Sequence, residues 1–328
     1  RYTLAVLWIM AFSSATHDTA ADGFYMLGLD TPGQAAFVGV RTAFYRVSTI
    51  AAKGGLVVLA GLLRKNGYPV ASAWSITFLA LAALFLGLCI YHFFILPCPE
   101  ADRSTPAAKG KNLFGEYFRI ITLFFRQKDI VVIICFFLFY RFAEAQLVKM
   151  VAPFLLDARE KGGLGLSTAE VGWIYGTAGV VALMLGGILG GYAIYRRGLK
   201  FWLWPMVIIM HLPDLIFVYL SHVQPESIWF IGWAVAVEQF GYGFGFTAYT
   251  MYMIMVSQGR YKTVFYAIAT GIMALGMMLP SMMSGWIQER LGYIDFYYWI
   301  LITTIPGFIV AALVKIDGDY GKKETVDK

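Results

Sequence analysis

The chain has 328 residues, 59% of them hydrophobic and only 14% charged, with a mean hydropathy of +0.67 and a formal net charge of +6. Soluble domains carry about a quarter charged residues, so this composition excludes one and points to a chain whose solvent is largely lipid. The pI of about 9.1 comes from Lys and Arg dispersed over loops between apolar stretches, not from the clustered stripe that a nucleic-acid surface requires, so no nucleic-acid partner is expected.

A ruler of about 20 apolar residues per spanning helix gives nine candidate membrane helices, near 2–25, 35–62, 70–96, 129–156, 167–194, 200–220, 227–257, 263–288 and 293–314. The apolar runs are continuous, which disfavours a transmembrane β-barrel with its alternating segments. The predicted class is an all-α polytopic membrane protein. Arg1 stands one residue before the first apolar helix, without an initiator Met; the expectation is that an N-terminal part precedes it, and the absence of a signal peptide carries no weight.

The first helix carries Ser14, Asp18, Asp22 and Tyr25 at spacings of three and four, which places them on one face. Ionisable groups at membrane depth are costly unless paired or wetted, and are candidates for function by default. Two carboxylates this close repel when both are ionised, so the pair reads as a proton site; pairing with bases of a neighbouring helix is the competing structural reading. The second helix offers such bases, with Arg46, Thr49 and Lys53 on one face and Arg41 a turn or more nearer its end.

From Pro97 to Lys128 the chain is polar, with Pro97, Pro99 and Pro106, and ends in an amphipathic stretch, Asn112 to Arg126. Lys111, Arg119, Arg126 and Lys128 interleave there with Phe114, Phe118, Phe124 and Phe125, either as an interfacial helix or as an ordinary loop with a helical turn. This segment divides the chain into residues 1–96 (three helices left of an N-terminal bundle), 97–128 (the cytoplasmic inter-bundle loop), 129–314 (a six-helix bundle) and 315–328 (a tail). Three further helices before Arg1 would restore two six-helix halves.

The fourth helix has Tyr140, Arg141, Glu144, Gln146 and Lys149, with Arg141 and Glu144 spaced to pair within the helix. In the sixth, His211 precedes Pro213 and Asp214, which reads either as a functional group or as polar lining at a proline kink. The seventh carries Glu238 and Gln239, with Tyr242, Gly245 and Tyr249 on the Glu238 face. The charges concentrate in helices one, two, four and seven and are expected to meet in one aqueous cavity. Glycines four apart, such as Gly186 with Gly190 and Gly241 with Gly245, allow close helix approach. Gly243, Gly245 and Ala248 imitate a dinucleotide fingerprint but lack a preceding strand, so that reading is rejected.

Lys and Arg accumulate in alternate loops, at 103–128, 196–200, 260–262 and 315–328, which by the positive-inside rule puts the C-terminus in the cytoplasm. Cys89, Cys98 and Cys135 and the four histidines show no metal-ligand spacing, so neither a metal nor a cofactor is expected.

Gly191, Arg196, Gly198 and Lys200, in G-G-Y-A-I-Y-R-R-G-L-K, resemble the cytoplasmic loop motif of the major facilitator superfamily, with Tyr195 at its acidic position. The resemblance implies a twelve-helix fold of which these helices are the fourth to twelfth, with helices one, four and seven lining the cavity. A closer likeness is to AmpG-type muropeptide permeases and their acetyl-CoA transporter relatives. S-S-A-T-H-D-T-A-A-D at Ser13–Asp22 is similar to that family's S-A-T-Q-D-x-x-x-D, with His17 in place of glutamine. Arg46 falls in the following Y-R segment, and Tyr140–Glu144, Y-R-F-A-E, is similar to Y-K-x-x-D. The acidic, glycine-rich helix of Glu238 and the region Thr263–Tyr298 continue the likeness.

The resemblance implies proton-driven import of an amino-sugar or peptide-bearing cell-wall fragment by a monomeric carrier in the bacterial inner membrane. Asp18, Asp22, Glu144 and Glu238 become candidates for proton coupling. His17, Arg46, Lys53, Tyr140, Arg141, Gln146, Gln239, Tyr242 and Tyr249 become candidates for holding the solute. A carrier for another solute, such as a sugar, peptide or acyl-CoA, or a receptor that keeps the fold without transport, stands as the alternative. An intramembrane aspartyl protease is disfavoured because Asp18 and Asp22 share one helix and no G-x-G-D motif is present.

Overall fold

Apolar stretches of this length satisfy their backbone polar groups internally as helices, and most of the described residues are helical. The computed structural model describes residues 2–97 and 113–323, without the side chains of residues 3, 53, 113 and 114. In chain order the helices are α1 (Tyr2–Gly28), α2 (Thr31–Ile50), α3 (Leu56–Lys65), α4 (Val70–Ile95), α5 (Leu113–Phe125), α6 (Ile130–Phe139) and α7 (Phe142–Leu156). There follow α8 (Thr168–Trp173), α9 (Val180–Arg197), α10 (Leu199–His211), α11 (Asp214–Val223), α12 (Ile228–Val256) and α13 (Lys262–Leu313). No strand occurs among the described residues. Among the described residues, five stretches are long and apolar enough to cross a membrane: Val70–Ile95, Ile130–Leu156, Thr168–Arg197, Leu199–Val223 and Lys262–Leu313.

Several of these stretches are not continuous α-helix. Gly292, at φ 75°, divides α13 in two. π-Helical turns join α2 to α3 at Ala51–Gly55 and α8 to α9 at Ile174–Gly179. The α6–α7 stretch breaks at Tyr140–Arg141, and the α10–α11 stretch at Leu212–Pro213. Pro213 explains the second break, since it lacks an N–H and clashes with the carbonyl four residues before it. The first has no proline or glycine to explain it.

The chain forms two compact units, 41–105 and 1–40 with 106–328. In the smaller, α3 packs on α4, where Ala60 and Ala73 are buried. In the larger, the α1–α2 turn is closed by Asp30, whose side chain accepts from Gly33 N at 2.9 Å, and by Gln34, whose amide donates to the carbonyls of Met26 and Leu29. The Ser167–Glu170 capping box starts α8. The amphipathic stretch forms α5, whose Phe124 is buried edge-on to Phe265 of α13.

The larger unit is organised around α12, which meets α9 on one side and α10 on the other. Glycine sets both distances. A Cβ at Gly243 would lie 2.1 Å from the Leu183 carbonyl oxygen of α9, and one at Gly241 would lie 2.3 Å from the Ile209 oxygen of α10. Across the α9 seam, a Cβ at Gly186 would meet the Phe240 oxygen at 2.2 Å. These backbones touch because no side chain separates them.

Replacing Gly243 by Val forces α9 and α12 apart and is expected to destabilise the protein by about 1–3 kcal/mol or more, the cost of overpacking a filled interior. Thermal unfolding in detergent measures this as a lowered midpoint. Gly271→Ala, where the added carbon has open space, leaves the midpoint unchanged or raises it, because alanine is the better helix former.

Candidate functional site

The site is built where α6–α7 breaks. Arg141 at φ −113° and ψ 18° is outside helical geometry, so the carbonyls at the end of α6 lose their usual partners. Side chains from other helices take them up. The Tyr249 hydroxyl of α12 donates to the Phe137 carbonyl at 2.8 Å, and His211 Nε2 of α10 lies 3.2 Å from the Tyr140 carbonyl. In return, the Tyr140 hydroxyl donates to the Gly245 carbonyl at 3.0 Å. Gly245 itself is forced by packing, as a Cβ there would stand 2.6 Å from Met210 Cβ.

Arg141 follows directly. Its guanidinium is buried, donates to the Tyr242 hydroxyl, and lies 4.5 Å from the centroid of Phe246, 5.0 Å from Tyr242 and 5.9 Å from Tyr249. A desolvated cation over aromatic faces gains from the ring quadrupoles. Its Nε has no hydrogen-bond partner. Arg141 is the N-cap of α7, its carbonyl accepting from Ala145 N at 2.9 Å, and its guanidinium turns to the aromatic face of α12.

Further buried polar side chains lie on α7, α10, α11, α12 and α13. Glu238 is fully buried; its Oε2 accepts from Gln239 Nε2 at 2.9 Å and its Oε1 has no hydrogen-bond partner. Asp214 in the first turn of α11 and Tyr297 of α13 both lie within electrostatic range of Glu238. His211 Nδ1 lies 3.6 Å from Asp214 Oδ2, with both side chains almost wholly buried. Glu144 is likewise buried in α7, and Gln146 accepts from Trp299 Nε1 at 2.9 Å.

The structure therefore brings Tyr140, Arg141, Tyr242 and Tyr249 together, with Glu238 and Gln239 further along α12. On α1, His17 and Asp18 are exposed and Asp22 is partly buried. Arg46 belongs to the smaller unit, as does Lys53, whose side chain is outside the described residues. The loop-motif residues serve the turn between α9 and α10. Gly198 holds φ 82° and ψ 161°, a region nearly restricted to glycine. A Cβ at Gly191 would stand 2.7 Å from the Ala35 carbonyl of α2. Arg196 lies 5.4 Å from the Tyr192 ring, and Lys200 is exposed. The segment after α13 folds back onto this turn, with Leu199 N donating to the Tyr320 carbonyl at 2.9 Å and Lys323 N to the Tyr195 carbonyl at 2.8 Å. Burial pushes the Tyr320 hydroxyl above its ordinary pKa. No cluster of three or more metal-ligating side chains occurs among the described residues.

Sequence reasoning left His211, Asp214, Phe246 and Tyr297 out of the candidate site. Pro213 between His211 and Asp214 was the available signal; nothing local marked the other two.

Comparison with known proteins returns a consistent set. The chain is 24% identical over 322 residues to "Putative transporter AmpG 4" of Rickettsia conorii, covering 94% of this chain and 71% of the relative. It is 22% identical over 320 residues to the "Anhydromuropeptide permease" of Escherichia coli, covering 98% of this chain and 61% of that protein. This chain is homologous to the AmpG-type transporters. An uncharacterised protein of Haemophilus influenzae is similar at 22% identity over 310 residues, covering 92% of this chain and 69% of the relative. No family model matches the chain. The long apolar helices, together with relatives named as transporters and a permease, support an integral membrane protein.

Tyr249→Phe removes the donor to the Phe137 carbonyl while keeping the ring. Leaving that buried oxygen without it is expected to cost about 1–3 kcal/mol, read as a lower unfolding midpoint in detergent, whereas Tyr219→Phe, on an exposed ring, stays within about 0.5 kcal/mol.

Proposed function

We propose that the chain is the solute-binding and coupling portion of a proton-coupled secondary carrier for an amino-sugar or peptide-bearing cell-wall fragment, working by alternating access. The observation that carries this reading is Arg141: a buried cation at an interrupted helix, ringed by Tyr242, Phe246 and Tyr249. In membrane carriers, irregular backbone at depth is tolerated where it is enclosed by protein or lines a binding site, and discontinuous helices commonly build that site. A guanidinium there is suited to a carboxylate of the solute, since charge-assisted bonds are strongest where water is excluded. The aromatic rings offer flat apolar faces to a sugar or peptide. The name of the Escherichia coli relative, an anhydromuropeptide permease, supports a solute with both parts.

In this reading Asp18, Asp22, Glu144 and Glu238 carry or sense the proton, His17, Tyr140, Gln146 and Gln239 complete the solute site with Arg141 and the tyrosines, and Arg46 and Lys53 are the solute-binding candidates of the smaller unit. The nine spans belong to a twelve-helix fold of the major facilitator kind, with 1–96 and 129–314 as its two bundles, 97–128 as the cytoplasmic connection and 315–328 as a cytoplasmic tail. The protein is not an enzyme, sits in the inner membrane and acts as a monomer.

Uptake by the complete protein in proteoliposomes tests this. Labelled anhydromuropeptide accumulates when an inward proton gradient is applied, an uncoupler abolishes the accumulation, and a simple hexose is not taken up. Arg141→Gln lowers accumulation at least tenfold, the value of one charge-assisted bond of about 1.5–3 kcal/mol. Asp18→Asn removes accumulation against the gradient. Unchanged uptake by Arg141→Gln would end the assignment of the solute site, and unchanged accumulation by Asp18→Asn that of the proton site.

A further inference from the structure

His211 occupies a position that joins two helix breaks. It is the last residue of α10, and its ring reaches the α6–α7 break through Nε2, 3.2 Å from the Tyr140 carbonyl. Its other nitrogen faces Asp214 across the α10–α11 break at 3.6 Å. The Phe308 ring of α13 lies 5.6 Å from the imidazole, and Gly307 leaves room for it: a Cβ there would be 3.4 Å from Nε2.

A carbonyl oxygen only accepts hydrogen bonds, so in this arrangement Nε2 carries the hydrogen. Nδ1 then points at Asp214, neither of whose oxygens has a hydrogen-bond partner. A neutral imidazole with its one hydrogen on Nε2 would set a nitrogen lone pair against an ionised carboxylate, both buried. That arrangement is strongly disfavoured, because neither charge nor lone pair is compensated. One further proton relieves it, on Nδ1 or on Asp214 Oδ2.

We propose that His211 and Asp214 form a one-proton switch whose occupancy decides whether His211 is bonded to the Tyr140 carbonyl. With the proton present, Nε2–H bonds Tyr140 and ties the two breaks together. When the Nδ1–H or Oδ2–H bond breaks and its proton passes to water, the ring keeps one hydrogen and must choose a partner. The carboxylate is the stronger acceptor, so the hydrogen moves to Nδ1 by exchange with water. Nε2 is left with a lone pair facing the carbonyl, and the link to Tyr140 is lost. Arg141 is the next residue along the chain, so the state of this pair reaches the cation of the proposed solute site. The other titratable or charged groups around the switch are Glu238 of α12, which interacts with Asp214, Tyr297 of α13 beside Glu238, and Tyr140 with Arg141 at the α6–α7 break.

The link to solute movement rests on the carrier reading; the switch itself does not. It is tested by nitrogen-15 NMR of the complete protein, labelled at histidine and held in lipid nanodiscs, with the His211 signal assigned by its loss in His211→Gln. The expected result is a ring hydrogen on Nε2 at low pH that moves to Nδ1 as pH rises. In Asp214→Asn, the Asn amide donates to Nδ1 and the hydrogen stays on Nε2 at every pH. A hydrogen that stays on Nε2 in the unmodified protein across about pH 5 to 9, or that moves in Asp214→Asn as it does without the substitution, overturns the switch. In proteoliposomes Asp214→Asn lowers proton-driven accumulation at least tenfold; accumulation equal to that of the unmodified protein overturns its role in coupling. Should the unmodified protein show the tautomer change yet move no solute, the carrier reading fails and the switch stands.

Discussion

The larger unit depends on one constraint: a backbone carbonyl released inside an apolar bundle needs a donor, and side chains of other helices supply it. Breaking a helix at Tyr140–Arg141 creates that demand, and its answers come from other helices. Tyr249 serves the Phe137 carbonyl and His211 the Tyr140 carbonyl, which draws α12 and α10 to the break. The same geometry turns Arg141 out of its helix toward the aromatic face of α12. Packing, polar satisfaction and the placement of the one deeply buried guanidinium among the described residues are thus parts of a single arrangement.

Glycine makes this arrangement possible. Gly245 lets α12 come close to Met206 and Met210 of α10 while its carbonyl accepts from the Tyr140 hydroxyl, and Gly241 and Gly243 allow close approach to Ile209 and Leu183. Close backbone contact trades side-chain volume for proximity, a trade favoured in lipid, where apolar side chains gain little by meeting one another rather than acyl chains. The broken helices then act as rigid half-rods joined at points that have polar alternatives.

The fold class and the approximate extents of the long helices were legible in the residues, because apolar run length reports directly on the bilayer. The capped entry to α8 and the turn at Gly198 also follow local rules. The break at Tyr140–Arg141 was not legible: no proline or glycine marks it, and it exists only because Tyr249 and His211, distant in sequence, satisfy what it exposes. His211 and Asp214 were noticed as polar lining at a proline kink, but their connection to Tyr140 depends on a contact 71 residues away in sequence.

By itself the sequence determined a lipid-embedded helical chain, because hydropathy and length are sums over local residues, and it marked the charged groups whose presence at depth requires an explanation. It also carried the likeness to AmpG-type transporters in short motifs. Only the tertiary structure decided which of those groups meet: Arg141 with the α12 aromatics, and His211 with the Tyr140 carbonyl. The physical reason is that hydrogen bonds and buried charges are satisfied by pairs of groups, and the pairing of residues far apart in the chain is fixed by how whole helices pack.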